Sequence, residues 1–269
     1  MTMLTRRNVL AAATVAGVAA AGLRAARAQD ATGRIVELAA RPEPVTIDTA
    51  KTALLVVDMQ NDFGTEGGMF DRAGIDISGI KRAVAPTARA LQAARGAGIK
   101  VVYLKMAYLP DLSDLGAPDS VNRQRHQRLG VGQHVRAPDG RESRVLIRDT
   151  WNTDIVAGLE AHAEDVVIYK TRFSGFYKTD LGERLTDLGV RHLIVTGCTT
   201  SICVESTVRD AMFRDYACVL LSDCMSEPIG GGLARSNHEA SLLSVETLLG
   251  WVSESAHFVG ALQGGLSKS

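Results

Sequence analysis

The stretch 53-ALLVVD-58 is a short apolar run that ends on a carboxylate. Its apolar residues follow one another without polar positions in between, which is typical of a strand buried on both faces. Similar runs rich in Val and Ile recur along the chain, at 99-IKVVYLK-105, 166-VVIYK-170, 191-RHLIVTG-197 and 217-ACVLLSD-223. These runs predict a parallel sheet with few exposed positions.

Helical stretches are predicted between the apolar runs, near residues 86–97, 179–188, 202–216 and 233–249. Strands that alternate with helices indicate an α/β fold with helices on both sides of the sheet. We therefore predict a doubly wound, Rossmann-like, three-layer fold with a mainly parallel sheet of about six strands. In such folds, ligands bind beyond the carboxyl ends of the strands.

The N-terminus has the layout of an export signal. Arg6 and Arg7 precede an apolar run over residues 9–23, and 26-ARA-28 offers the small residues of a cleavage site. This predicts a twin-arginine signal peptide over residues 1–28 and a single mature domain over 29–269, located in the periplasm or secreted. The alternative is a membrane anchor, but a spanning helix needs about 20 apolar residues.

The net charge of the chain limits its possible binding partners, and its length bears on the state of its cysteines. The chain has 30 Lys and Arg and 30 Asp and Glu, and residues 1–28 contain four Arg and no acid. The predicted mature chain therefore has 26 basic and 30 acidic residues, a net charge of −4. This balance argues against a nucleic acid or an anionic membrane as partner. Because a chain of this length can bury a full core, we predict that its four cysteines are free thiols.

Three polar side chains follow apolar runs at the predicted carboxyl edge of the sheet: Asp58, Lys170 and Cys203. If the strands are neighbours, an acid, an amine and a thiol meet there, as in a nucleophilic site. Cys203 would lie at the start of the predicted helix 202–216, whose amides favour a thiolate and a partly ionised thiol near neutral pH. Asp58 opposes this by like-charge repulsion, so we expect either a modest fall of the thiol pKa or a Cys–Asp pair that shares one proton. Singly, the three residues are equally explained as a turn cap, a surface lysine and a packed core thiol.

The motifs around these residues resemble the isochorismatase-like cysteine hydrolases. The resemblance lies in 52-TALLVVDMQNDF-63, 170-KTRFSGFYKTDL-181 and 197-GCTTSICVESTVRDA-211. It implies a catalytic triad of Asp58, Lys170 and Cys203. Three flanking stretches are most similar to the ureidoacrylate amidohydrolase branch of this family: 38-LAARPEPVTID-48, 149-DTWNTDIVAGL-159 and 246-ETLLGWVS-253.

The resemblance also implies the geometry of the turn before the nucleophile. It predicts a cis peptide between Cys198 and Thr199, and an oxyanion hole formed by the backbone amides of Thr199 and Cys203. Cys198 would then be structural, and Cys218 and Cys224 would belong to the core. Ser201 stands where relatives carry Asn or Asp, so this turn is expected to be supported differently.

The activity implied is hydrolysis of a linear amide, ureido or carbamoyl C–N bond through a thioester on the cysteine. A biuret hydrolase or an N-carbamoyl amino acid amidase is an alternative within the family. A thiol-redox protein and a non-catalytic binding protein are alternatives from other classes. The redox alternative would require a C-x-x-C pair, whereas Cys198 and Cys203 are spaced more widely.

No metal and no other cofactor is predicted. In the nicotinamidases of this family, an Asp/His cluster follows the second strand, but 105-KMAYLPDLSDLG-116 contains no histidine. The six histidines of the chain show no close ligand pairing. The predicted partner is a small amide or ureido compound, with no nucleic acid, no membrane after signal removal, and a homo-oligomeric assembly.

Substrate contacts are predicted less directly. Candidate pocket residues are Gln60, Phe63, Trp151, Phe173, Phe176 and Tyr177. The aromatic residues after Lys170 are equally explained as core. Arg123, Arg125 and Arg128 are candidates for binding a substrate carboxylate, or else form a solvated helix face. They belong to a long polar segment, residues 107–144, and long segments of this kind often act as lids.

Overall fold

A parallel sheet forms the centre of the computed structural model, which describes residues 33–264 of the 269-residue chain. The signal peptide predicted at residues 1–28 lies outside the described residues. Within the described range, none of the helices combines the length and the apolar character that crossing a bilayer requires.

The central sheet has six strands in the order β10-β9-β8-β3-β4-β7, and every pairing within it is parallel. The five apolar runs are strands, as predicted, and the sixth strand is a short C-terminal one. Two antiparallel pairs, β1 with β2 and β5 with β6, lie outside this sheet. The strands are β1 Ile35–Leu38, β2 Val45–Asp48, β3 Thr52–Val57, β4 Lys100–Met106, β5 His134–Arg136, β6 Glu142–Arg144, β7 Val166–Lys170, β8 His192–Cys198, β9 Ala217–Ser226 and β10 Trp251–Ser253.

The α-helices follow the strands. They are α1 Asn61–Gly64, α2 Met69–Arg72, α3 Ser78–Gly96, α4 Val121–Arg128, α5 Leu181–Asp187, α6 Glu205–Met212, α7 Asn237–Ser244 and α8 Ser255–Gly264. Turns with π-helical hydrogen bonding span Thr200–Val204 and Val245–Leu249, and single 3₁₀ turns span Thr49–Lys51 and Trp151–Thr153.

The prediction that a helix begins at residue 86 is wrong, because α3 begins at Ser78 and Pro86 lies in its interior. Proline favours the first turn of a helix because it has no amide hydrogen, but it is tolerated further inside at a cost. Here Pro86 is buried with Ala83 and Ala90 on the face of α3 that packs on the sheet. Burial of this face stabilises the longer helix.

Alternate strand residues point into two separate cores. In β3, Leu54 and Val56 belong to one core and Leu55 and Val57 to the other. Helices α3 and α8 cover the first core, whereas α5, α6 and α7 contribute to the second. The predicted three-layer arrangement is therefore confirmed, and the carboxyl ends of β3, β7 and β8 lie at one edge of the sheet.

Segment 107–144 is not a plain loop. It contains α4 and the hairpin of β5 and β6. Apolar side chains along it, including Leu115, Val131 and Val135, are buried in the first core. The segment therefore packs on the body of the protein beside the carboxyl edge of the sheet.

Candidate active site

Asp58 and Lys170 form a buried ion pair at this edge. The Lys170 Nζ atom lies 2.7 Å from Asp58 Oδ2, and neither side chain is more than 1% exposed. The other carboxylate oxygen, Oδ1, accepts a hydrogen bond from the Met106 amide at 2.9 Å. Asp58 directly follows β3 with a positive φ of 51°, which aspartate tolerates better than most residues. The end of the strand is thus turned so that its carboxylate meets the lysine of β7.

The lysine is held in its charged form by its neighbours. Burial alone would lower the pKa of Lys170, but the charges of Asp58 and Cys203 raise it, and the net shift is upward. The ammonium also donates to the Arg172 carbonyl at 3.3 Å. Lys170 therefore acts as a fixed positive charge beside the carboxylate.

Cys203 lies one turn after β8. The peptide bond between Cys198 and Thr199 is cis, and the π-helical turn Thr200–Val204 connects it to α6. The amides of Ile202 and Val204 both donate to the Thr199 carbonyl, at 3.1 and 3.2 Å. The sequence had predicted that Cys203 lies in the first turn of a helix over residues 202–216. Helix α6 begins only at Glu205, so Cys203 belongs instead to the turn before this helix.

The expected fall of the Cys203 pKa is wrong in direction, whereas a proton shared between Cys203 and Asp58 stays a prediction. Burial raises the pKa of Cys203; the Lys170 ammonium lowers it, and the Asp58 carboxylate raises it again. A thiolate in this dry site would lie beside a carboxylate, so the proton stays on sulfur until a base removes it. Asp58 is the base within reach.

Cys198 has a different environment. Its thiol donates to the Asp58 carbonyl at 3.1 Å, and burial raises its pKa well above the ordinary value. The preceding Gly197 has a φ of 118°, and a Cβ atom there would lie 2.0 Å from the Val57 carbonyl oxygen. Only glycine allows β8 to approach β3 this closely, which brings Cys198 against the backbone of Asp58. All four cysteines are free and buried, as predicted.

The turn has a support that the sequence analysis missed. Glu227, which is 6% exposed and follows β9, accepts hydrogen bonds from the amide and the hydroxyl of Ser201, at 3.0 and 2.5 Å. Its other oxygen accepts from the Ile229 amide at 3.0 Å. The adjacent Thr200 hydroxyl bonds to Nδ1 of His238 at 2.9 Å. The only sequence signal was the unusual Ser201, which did not reveal its distant partner.

The candidate pocket residues have mixed placements. Gln60 is fully buried, and its amide group bonds to both the amide and the carbonyl of Met106, at 2.7 and 3.0 Å. Phe63 packs edge-on against Phe70 in the first core, and Phe176 stacks on Tyr216 in the second core. These contacts give Phe63 and Phe176 a role in packing, and the pocket role predicted for them stays a prediction.

The remaining aromatic candidates are more exposed. Phe173 is 39% exposed and lies next to the ring of His126, with the centroids 5.9 Å apart. Tyr177 lies between the side chains of Arg172 and Lys178. Trp151 begins a 3₁₀ turn, and its carbonyl accepts from the Asn61 side chain at 2.8 Å.

The arginine candidates are on the outer side of α4. Arg125 and Arg128 are exposed, whereas Arg123 donates to the Gly116 carbonyl at 2.8 Å. Arg125 and Arg128 therefore have the exposure expected of a solvated helix face, which was the alternative to a role in binding a substrate carboxylate. Among residues 33–264, no group of three or more His, Cys, Asp or Glu side chains has the arrangement of a metal site.

The fold and this cluster define a class of α/β proteins in which a thiol, a carboxylate and an ammonium meet at the sheet edge. The family model of the isochorismatase domain matches residues 52–257, most of the chain and all three residues of the cluster. The protein therefore belongs to the isochorismatase family.

Individual relatives agree with this assignment. The ureidoacrylate amidohydrolase RutB of Methylorubrum extorquens is 40% identical over 236 residues, which cover 87% of this chain and 92% of the relative. A crystal structure of a cysteine hydrolase from Pseudomonas syringae pv. phaseolicola is 27% identical with a TM-score of 0.69, covering 87% of this chain and 99% of the other. An isochorismatase family protein from Desulfovibrio vulgaris is 28% identical with a TM-score of 0.62, covering 81% and 99%.

Proposed function

We propose that the protein is an amidohydrolase that cleaves a linear amide, ureido or carbamoyl C–N bond with Cys203 as nucleophile. The observation that carries this proposal is the buried Asp58–Lys170 ion pair beside a buried thiol. Buried ion pairs cost desolvation energy, so three ionisable groups at a strand edge indicate a chemical role. The names of the ureidoacrylate amidohydrolase relatives support the same reaction class.

In the first half of the reaction, Asp58 takes the proton from the Cys203 thiol as sulfur attacks the carbonyl carbon. The S–C bond forms, and the carbonyl oxygen gains negative charge, which the amides of Thr199 and Cys203 stabilise. The C–N bond then breaks, and Asp58 returns its proton to the departing nitrogen. Lys170 keeps the carboxylate oriented and balances its charge throughout.

In the second half, water attacks the thioester. Asp58 takes one proton from the water as the new C–O bond forms, and the S–C bond breaks. The same proton returns to sulfur, so the thiol and the carboxylate end in their starting states. No electron is gained or lost, and no co-reactant besides water is required.

The test is ammonia or amine release by the purified protein across ureido acids, biuret, carbamates and simple amides. We expect turnover on at least one ureido or carbamoyl compound, and none after Cys203→Ala. The panel also separates the biuret hydrolase and N-carbamoyl amino acid amidase alternatives. Absence of turnover on every compound, with a folded protein, would favour the non-catalytic binding alternative and refute the proposal.

We also propose export by the twin-arginine route, on the basis of Arg6 and Arg7. Replacing both arginines with lysine should keep the protein in the cytoplasm, as followed by cell fractionation. A variant that still reaches the periplasm, with its N-terminus processed near Gln29, would contradict this proposal.

Self-association is proposed as well. The proposal rests on two large apolar side chains at the surface, Phe213 and Leu248, which are 69% and 81% exposed. Sedimentation velocity should give a mass above that of one 28.7 kDa chain. A single species of monomer mass across micromolar concentrations would exclude it.

A further inference from the structure

His126 is a buried histidine in α4 whose role is not explained by the triad. Its side chain is only 6% exposed. The imidazole packs edge-on against the ring of Tyr108, with centroids 5.5 Å apart, and lies against the ring of Phe173 at 5.9 Å. The ring is therefore fixed in orientation between two aromatic side chains.

This aromatic cluster lies at the catalytic edge of the sheet. The Tyr108 hydroxyl donates to the carbonyl of Thr171, the residue after Lys170, at 3.3 Å. Phe173 follows Lys170 by three residues. The charges of Lys170 and Asp58 also act on the imidazole and contribute to the direction of its pKa shift. His126 is thus connected, through Tyr108 and Phe173, to the segment that begins at Lys170.

The tautomer of His126 follows from its hydrogen bond. Nδ1 lies 2.7 Å from the Asn122 carbonyl oxygen, which can only accept, so Nδ1 carries a hydrogen. Burial, and secondarily the charges of Lys170 and Arg172, outweigh the Asn122 hydrogen bond and lower the pKa of His126, so the ring is neutral at pH 7. Nε2 is therefore an unprotonated acceptor. It forms no hydrogen bond with any group in residues 33–264.

The proposed catalytic groups themselves offer few free acceptors for a substrate N–H. The two carboxylate oxygens of Asp58 already accept from Met106 and Lys170. Lys170 itself only donates, and the predicted oxyanion hole also consists of donors. A carbamoyl group has an amino group in addition to the leaving nitrogen, and in a dry site that amino group needs an acceptor.

We infer that Nε2 of His126 accepts a hydrogen bond from the non-leaving amino group of the substrate, and so selects carbamoyl and ureido compounds over acyl amides. The inference rests on the proposed amidohydrolase function and adds a substrate class to it. An acetyl group has the same size as a carbamoyl group but offers no N–H to this acceptor.

The experiment compares N-carbamoyl-β-alanine with N-acetyl-β-alanine, which differ only in NH₂ against CH₃ on the carbonyl carbon. Full-length protein is assayed for kcat and KM on both, as wild type, His126→Phe and His126→Gln. Phenylalanine keeps a planar ring between Tyr108 and Phe173 without an acceptor, and glutamine keeps an acceptor. His134→Phe, at an exposed position of the same segment, is the matched control.

We expect the wild type to prefer the carbamoyl compound. His126→Phe should lower kcat/KM for that compound by roughly 10- to 100-fold, the range for an unpaired buried donor, and change the acetyl value by less than about threefold. His126→Gln should recover part of the loss, and His134→Phe should match the wild type.

Two results would overturn the inference about His126 and leave the proposed function intact. One is a wild type that turns over both compounds equally, and the other is a His126→Phe variant that loses activity on both by the same factor. The second result would show a packing role only. A folded wild type that hydrolyses only simple amides of the wider panel would also overturn the inference and leave the proposed function standing. A folded wild type that hydrolyses no compound of that panel would instead refute the proposed function, and this arm is read before any variant is made.

Discussion

Replacing Lys170 with methionine should destabilise the protein strongly, because it leaves the Asp58 carboxylate buried without its cation. Both side chains are almost completely inaccessible, and their charged atoms are 2.7 Å apart. Removing one partner of such a pair costs about 3–5 kcal/mol of unfolding free energy. A domain of this kind has a total stability of about 5–15 kcal/mol, so the loss should be large but measurable.

The double variant Asp58→Asn, Lys170→Met isolates the cause. It removes both charges and keeps similar side-chain volumes, so most of the lost stability should return. Lys105→Met is the matched control on the neighbouring strand. Lys105 is 9% exposed and has no salt bridge among residues 33–264; its ammonium lies 5.0 Å from the centroid of the Tyr169 ring. Its replacement should cost about 1–2 kcal/mol at most.

Urea unfolding followed by circular dichroism gives the free energies, provided that the m-values agree between variants. Turnover should be lost in both the single and the double variant, because each lacks the charge that orients the base. The reasoning fails if Lys170→Met costs no more than Lys105→Met, or if the double variant is as unstable as the single one.

The remaining predictions concern the cysteines, one buried acid and metal independence. Cys203→Ala should abolish turnover and keep the fold, whereas Cys198→Ala should keep appreciable activity, since the Cys198 thiol only donates to a backbone carbonyl; the opposite pattern in a steady-state assay would mean that the nucleophile is misassigned. Iodoacetamide labelling of Cys203, followed by peptide mass spectrometry, should still be accelerating above pH 9, because burial raises its pKa; a plateau near pH 7 would contradict this. Burial raises the pKa of Asp62 from 3.8 to about 6, although hydrogen bonds from Asn152, Leu146 and Met69 lower it. The folded state therefore holds this proton more tightly than the unfolded state, and the associated stability is present below pH 3.8 and lost as the pH rises through about 6. The shift corresponds to about 3 kcal/mol, so Asp62→Asn should gain about that much relative to wild type between pH 4 and pH 7 in urea titrations, and parallel pH profiles would refute it. Prolonged chelation should leave activity intact, and loss that zinc or iron restores would reveal ligands that the sequence did not indicate.

The central strands could be predicted because each is a continuous apolar run, and runs of that kind have few alternatives in a chain of this size. Strand β10 has only three residues, Trp251–Ser253, which is too short for any period to appear. The start of α3 was missed because Pro86 has the local chemistry of a helix start, while the burial that keeps it inside the helix comes from the tertiary structure.

The meeting of Asp58 and Lys170 was predictable for a similar reason, because both stand at strand ends, where side chains converge. The protonation state of Cys203 could not be predicted, because the pKa of a thiol depends on how deeply the completed fold buries it. His126 and Glu227 were not recognised either. Each acts through partners that are distant in sequence, so no local spacing connects them to the site.

The contact between Ser201 and Glu227 has a consequence for how this site can be altered or transplanted. A change at Ser201 that removes its hydroxyl leaves a buried carboxylate short of a donor, and Gln at position 227 brings an amide group towards the donors of Ser201. The two positions are 26 residues apart, one in the turn after β8 and the other just after β9, yet they constrain each other as neighbours would. Grafting the turn Thr200–Val204 onto another scaffold of this fold would therefore require the residue after β9 to travel with it.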